Sequence, residues 1–275
     1  MYVILTGKRG INWANNDMNI GGFPTNILFS AVMKWTACLF ILAFFITADD
    51  VRAQGPMNGD WRTASRESAG IAPDPGTTPE AVIQVYAARA WSWRGYFGVH
   101  SWFATKPTNA KEFTVYEVIG WRVRRGMSAV AISNRPADGR WFGSIPTLIA
   151  DLRGDGVDDV IRRIDLAAKS YPFPNEYTVW PGPNSNTFTA YVARTVPELK
   201  LDLPPTAIGK DYLPGNTFFA RSPSGTGGQV SLFGLFGILI GSEEGLEINI
   251  LGLTFGIDIL DPALKLPMIG RIGAD

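Results

Sequence analysis

The stretch Trp180-Pro-Gly-Pro-Asn-Ser-Asn-Thr-Phe188 constrains the fold more than any other part of the chain. It reads as the end of a short strand over 177–180, a tight turn, and the start of a helix over 187–195, with Ser185 or Asn186 where an N-cap belongs. A side chain at that position lies beside free backbone N–H groups and the positive end of the helix dipole. Such a place favours a nucleophile and the oxyanion it generates.

The single histidine, His100, falls in a strand-like run over 98–106. Serine is a weak nucleophile until a base takes its proton, and imidazole titrates in the right range. The pattern therefore predicts that His100 and Ser185 share one site. Glu117, in the next strand, is placed to hold the imidazole, and Glu112 is the other candidate. The plainer alternative keeps Ser185 as a helix cap and His100 as a half-buried sheet residue. The Gly-x-Ser-x-Gly elbow is absent.

Around this stretch the text is β-rich. Runs over 81–91, 98–106, 112–121 and 127–133 predict strands in series, hence an antiparallel meander. The residues 145–152 and 157–170 predict helices; the second places Val157, Val160, Ile161, Ile164 and Ala168 on one face. Two apolar runs, 230–240 and 246–259, predict a buried C-terminal β-hairpin, with membrane contact as the other reading, and 262–275 predicts a surface strap. The expected class is α+β: an antiparallel sheet with packed helices and a C-terminal β-hairpin over 230–259.

Lys34 followed by a dozen apolar residues and Val51-Arg-Ala53 predicts a secretory signal peptide cleaved after Ala53, preceded by an upstream extension. An uncleaved membrane anchor is the alternative, since the apolar text extended back to Ile27 reaches about 20 residues. Thus 1–53 are excluded from the domain, 54–79 form an extended lead-in, pinned by Trp61 and Ile71, and 80–275 form one α+β domain. The protein is expected in the periplasm, or anchored in the inner membrane facing it.

With 25 Lys+Arg against 25 Asp+Glu there is no bulk-charge argument for nucleic acid. One His and one Cys, the latter inside the apolar leader, argue against zinc and predict no cofactor. Asp151-Leu-Arg-Gly-Asp-Gly156 fails as a calcium loop, because Arg153 and Arg162 stand where ligands are needed. Arg122, Arg124, Arg125, Arg135 and Arg140 read as a solvated sheet edge, and Trp91, Trp93, Tyr96, Phe97 and Trp102 as core or cleft rim.

Several segments resemble an uncharacterised bacterial envelope family, a domain of unknown function. They include Trp93-Arg-Gly-Tyr-Phe-Gly-Val-His-Ser-Trp102, Tyr116-Glu-Val-Ile-Gly-Trp121, Val179–Phe188, Leu203–Tyr212 and Leu251–Asp258. Over 80–196 the chain also resembles circularly permuted papain-like hydrolases, such as the lecithin retinol acyltransferase-like group and bacterial envelope peptidases. There a strand His, a polar residue on the next strand and an Asn-Cys-x-x-Phe helix start carry the chemistry. Here His100, Glu117 and Asn184-Ser-Asn-Thr-Phe188 match, with Ser185 in place of Cys.

That resemblance implies hydrolysis or transfer at an amide or ester bond of a peptidoglycan peptide, a lipid or an envelope protein. Ser185 would be nucleophile, His100 base, Glu117 orienter and Asn186 oxyanion donor, helped by the Asn186 and Thr187 amides. An alkoxide is far harder to form than a thiolate. The alternative is therefore a non-catalytic envelope binding module with a degenerate cleft. A third reading is a structural partner of a membrane complex, associating through the C-terminal hairpin.

Overall fold

Val82–Arg89 has no polar face: seven of its eight residues are buried. A strand of that kind needs neighbours on both edges and cover on both faces. In the computed structural model, which describes residues 60–215 and 217–273, this strand (β1) lies between β2 (Val99–Lys106) and β5 (Thr147–Arg153). β3 (Thr114–Val118) and β4 (Val130–Ser133) extend the sheet beyond β2, so the order is β4-β3-β2-β1-β5, all antiparallel.

Strand alternation assigns the two faces. Ile83, Val85, Phe103, Tyr116 and Val118 face a core shared with two helices, α2 (Val157–Lys169) and α3 (Ser185–Thr195). Tyr86, Trp102, Ala104 and Val115 face the other way, into a smaller core with Phe113 and Ala137. A single helical turn, α1 (Gly120–Val123), follows β3.

α2 forms as its apolar periodicity predicts, with Asp158 and Asp159 in its first turn and Lys169 in its last, matching the dipole. Part of the lead-in is held by Asp138, whose carboxylate accepts from Ser68 Oγ and from the amides of Ile71 and Ala72. Trp61 is 50% exposed and does not pin it.

Five expectations are corrected. Residues 145–152 are not helical; 147–153 form β5, because a short apolar run fits either period and the open edge of β1 decides between them. Residues 177–180 form no strand. The expected hairpin is a seven-stranded antiparallel meander, β6 (Phe219–Arg221), β7 (Gly228–Leu232), β8 (Phe236–Gly241), β9 (Gly245–Ile250), β10 (Leu253–Asp258), β11 (Ala263–Leu266) and β12 (Gly270–Gly273). The expected strap is thus its last two strands. Nor is the hairpin's apolar text buried.

This second sheet turns its polar side inward. Gln229, Ser231, Glu247, Asn249, Thr254 and Lys265 are buried, while Val230, Leu232, Ile238, Ile240, Leu246, Ile248, Ile250 and Phe255 are exposed. The polar side chains meet a charged layer carried by the preceding segment. Glu247 lies between Lys210 Nζ at 2.6 Å and Lys265 Nζ at 3.0 Å, and Lys265 also reaches Asp202 at 2.7 Å. Asp211 accepts from Gln229 Nε2 and Asn249 Nδ2, and Arg194 donates to Gln229 Oε1. Paired and hydrogen-bonded, these charges tolerate burial that isolated ones would not.

The leader region of the sequence reading lies outside the described residues. Among those described, no helix is long and apolar enough to cross a membrane.

Candidate functional site

The turn 180–184 places α3. Asn184, not Ser185 or Asn186, is the N-cap: its Oδ1 accepts from the amides of Asn186 at 2.9 Å and Thr187 at 3.2 Å, and the Asn184 amide donates to Thr187 Oγ1. Its Nδ2 donates to the carbonyls of Val179 and Ile208. The loop 206–212 can pass this close only because position 209 is glycine. Its φ is +95°, and a Cβ there would stand 2.3 Å from Asn184 Nδ2.

Ser185 is therefore the first helical residue. It is buried, and its Oγ and its amide form no hydrogen bond to a described residue. Asn186 is fully occupied elsewhere. Its Nδ2 donates to Val99 O and Ile208 O, and its Oδ1 accepts from Ser101 Oγ at 2.8 Å. The oxyanion role expected for Asn186 and for the Asn186 and Thr187 amides is corrected accordingly: the cap and the β2 contact already use those donors. Ser185 N–H is the free amide at this helix start.

His100 is the second residue of β2 and is buried. Its Nε2 lies 2.8 Å from Glu117 Oε2. Glu117, on β3, also accepts from Arg135 Nε at 3.0 Å and Nη2 at 3.2 Å. Burial opposes ionisation of Glu117, but the His100 hydrogen bond and the Arg135 charge outweigh it and hold the carboxyl at about 2. An ionised carboxylate only accepts, so Nε2 carries the proton and Nδ1 is the bare, basic nitrogen. Burial lowers the imidazole pKa below its ordinary value despite the carboxylate, so the ring is neutral at pH 7.

Aromatic packing fixes the ring plane. His100 stacks on Trp141 with centroids 3.6 Å apart and planes 11° apart, and Trp102 lies behind it at 5.7 Å. Arg135 sits 4.8 Å over the Trp102 ring, a cation–π contact. Glu112, the other candidate orienter, instead accepts from Asn134.

His100 and Ser185 line one cavity of about 410 Å³. They reach it from opposite faces of the first sheet. His100 shares the face of Trp102, whereas Ser101 faces α3 and bonds Asn186 and Thr189 there. β3 pairs with β2 only over Phe103–Thr105, so the strands part before His100 and the cavity opens at the sheet end. No hydrogen bond joins the imidazole to Ser185 Oγ.

The remaining walls are mostly apolar: Trp93, Phe97, Tyr177, Val179, Trp180 and Ile208, with Leu251 from the β9–β10 turn, Leu253 at the start of β10, and Arg94 as the one charged side chain among the lining residues. Trp93 and Trp180 stand half exposed at the rim. Trp180 Nε1 donates to Leu251 O at 2.8 Å and ties the turn to the second sheet.

Sequence reading missed Arg135 as the second partner of Glu117, and missed Trp141, Leu251 and Leu253. For Arg135 the only signal was its membership of a basic patch, which pointed to solvent. Among the described residues no group of three or more His, Cys, Asp or Glu side chains is placed to hold a metal ion. The Asp151 carboxylate is taken by Arg153 and Gln84.

Fold and site together define an α+β domain whose cavity sets an oriented neutral imidazole and an unbonded serine hydroxyl among aromatic walls. Residues 80–212 match the family described as a protein of unknown function (DUF3750), so this stretch is similar to an uncharacterised domain family; His100, Glu117, Ser185 and Asn186 all fall inside it. No curated protein and no solved structure matches the chain.

Proposed function

We propose that this cavity carries out hydrolysis or transfer of an acyl or amide group in the cell envelope, on a papain-like framework with serine at the nucleophile position. The observation that carries the proposal is that Ser185 and a Glu117-oriented His100 line the same cavity. His100 Nδ1 takes the Ser185 Oγ proton as the oxygen attacks the substrate carbonyl. The tetrahedral oxyanion accepts from Ser185 N–H at the start of α3. Nδ1–H then returns the proton to the leaving group, and water or an acceptor hydroxyl releases the acyl-serine by the reverse path. Glu117 keeps the proton on Nε2 throughout, with Arg135 holding Glu117 ionised.

The step requires Nδ1 and Oγ to come within about 2.6–3.2 Å, a contact that commonly tightens only with substrate bound. Of the three substrate classes read from the sequence, the aromatic and aliphatic lining favours a lipid acyl chain over a peptidoglycan peptide or an envelope protein. Export through the N-terminal leader would deliver the protein to such substrates.

A second reading, a binding module with an inactive cleft, is favoured by the missing Ser185–His100 hydrogen bond. A fluorophosphonate probe on the full-length chain separates the two. Labelling of the wild type that disappears in Ser185→Ala and in His100→Ala supports catalysis. An unlabelled wild type that still binds a fluorescent fatty acid after both changes establishes the binding module instead.

A further inference from the structure

We infer that the outward face of the second sheet is the interface of a face-to-face homodimer, two copies of this chain closing a β-sandwich between them. Three rows of side chains run across the strands on that face. Leu232, Phe236 and Ile250 form one row; Phe219, Val230, Ile238, Ile248 and Phe255 form the next. Ile240, Leu246, Ile257 and Leu264 form the third. No charged side chain interrupts them; Arg221 stands only at the β6 end of the third row.

A sheet with one apolar face needs a second layer against it. Here the described elements of the chain are all packed on the other, polar side. The exposures of these side chains run from 38% to 75%. They amount to about 1,000 Å² per copy, more than the few hundred Å² of contiguous apolar surface a monomer ordinarily exposes and enough for the roughly 800 Å² per partner of a stable complex.

The rows also suit a copy of themselves. The residues are aliphatic or phenylalanine, of similar reach, and a shallow groove between the first two rows crosses β7, β8 and β9. Side chains of a facing sheet interdigitate into such grooves at a sheet separation of about 10 Å. A two-fold contact is self-complementary, and a face without charge meets its copy without repulsion. The same lack of cations gives no attraction to anionic lipid head groups.

Ile248 sits on β9, the central strand of the seven, in the middle row, so it lies near the expected two-fold axis. Sedimentation velocity on the purified full-length chain tests the interface. The wild type should sediment as a dimer, and Ile248→Glu and Ile248→Lys alone should each weaken dimerisation by roughly 100-fold through like charges facing each other. Co-expression of the two variants should restore the dimer. Leu166→Glu, at an even more open apolar residue on α2, should leave it intact. Because a charge can unfold as well as repel, Ile248→Cys in a Cys38→Ala background reads the same contact as a dimer cross-linked by a bismaleimide of about 10 Å span, matched to the sheet separation.

A monomeric wild type overturns the inference. Flotation of that monomer on phosphatidylcholine vesicles that is lost in Ile248→Glu would assign the face to lipid. Single-charge variants that stay dimeric, or an Ile248→Cys chain that does not cross-link, would equally exclude this contact.

Discussion

Removing the Glu117 carboxylate tests the electrostatics of the site through the stability of the whole fold. The carboxyl is held at about 2 against an ordinary value of 4.5. A folded-state value below the unfolded one means that ionisation stabilises the fold. That contribution is fully present above about pH 4.5 and is lost as the pH falls toward 2. The difference corresponds to about 3 kcal/mol. His100 acts in the same sense at milder acidity: its pKa is lowered in the fold, so the unfolded chain takes up that proton first.

Glu117→Gln deletes the carboxylate titration, though it also strands the Arg135 guanidinium and costs stability at every pH. The informative quantity is therefore the pH dependence and not the absolute value. Urea unfolding followed by tryptophan fluorescence from pH 7 to pH 2 should show the wild type losing about 3 kcal/mol more than the variant below pH 5. Parallel stability curves for the two proteins would refute the assignment of Glu117 as an ionised partner of His100.

Further outcomes follow from the same geometry. Asn184→Ala removes the α3 cap and leaves two amides and the Val179 carbonyl short of partners, and should lower stability by about 2 kcal/mol in thermal or urea unfolding. Gly209→Ala forces a Cβ onto Asn184 at a left-handed φ, and should give a comparable loss, whereas Gly126→Ala, with open space around it, should cost less. Trp141→Ala admits water to the imidazole; the His100 pKa read by NMR should rise toward its ordinary value. Glu247→Ala leaves Lys210 buried without its carboxylate partner and Lys265 with Asp202 alone, and should destabilise by about 3–5 kcal/mol.

Much of the first sheet was legible because its signals are local. The runs that became β1, β2, β3 and β4 follow one another in the chain, and the α2 stripe of Val157, Val160, Ile161 and Ile164 is one periodic segment. Glu117 beside His100 was also legible, since neighbouring strands bring side chains of one face together. What failed depended on distant text. β5 was read as a helix because its partner, β1, is some sixty residues earlier.

The polarity of the second sheet was the larger miss. The alternation in Gln229-Val-Ser-Leu232 and Glu247-Ile-Asn-Ile250 is plain, but period alone does not say which set faces inward. That choice is made by Arg194, Lys210 and Asp211, which supply the opposing charges from another part of the chain. The facing of His100 and Ser185 was unreadable for a similar reason. It turns on where β3 leaves β2, a matter of register and not of composition.

These dependences bear on what counts as the folding unit. The family match ends at residue 212, yet the cavity does not: Leu251 walls it from the β9–β10 turn and Leu253 from the start of β10, and Trp180 is bonded to that turn. Lys210 and Asp211 lie inside the matched stretch, but Glu247, Gln229 and Asn249, which satisfy them, lie beyond it. A chain stopped at 212 would expose the underside of α3 and leave a lysine and an aspartate without their partners. Each such uncompensated group costs a few kcal/mol, a large share of the 5–15 kcal/mol that a domain has in total. Expressed as 60–212, the chain should therefore show neither the near-ultraviolet circular dichroism of packed tryptophans nor a cooperative unfolding transition, while 60–275 shows both. A cooperative 60–212 fragment would mean that the charged layer is an accessory to the first sheet and not part of its foundation.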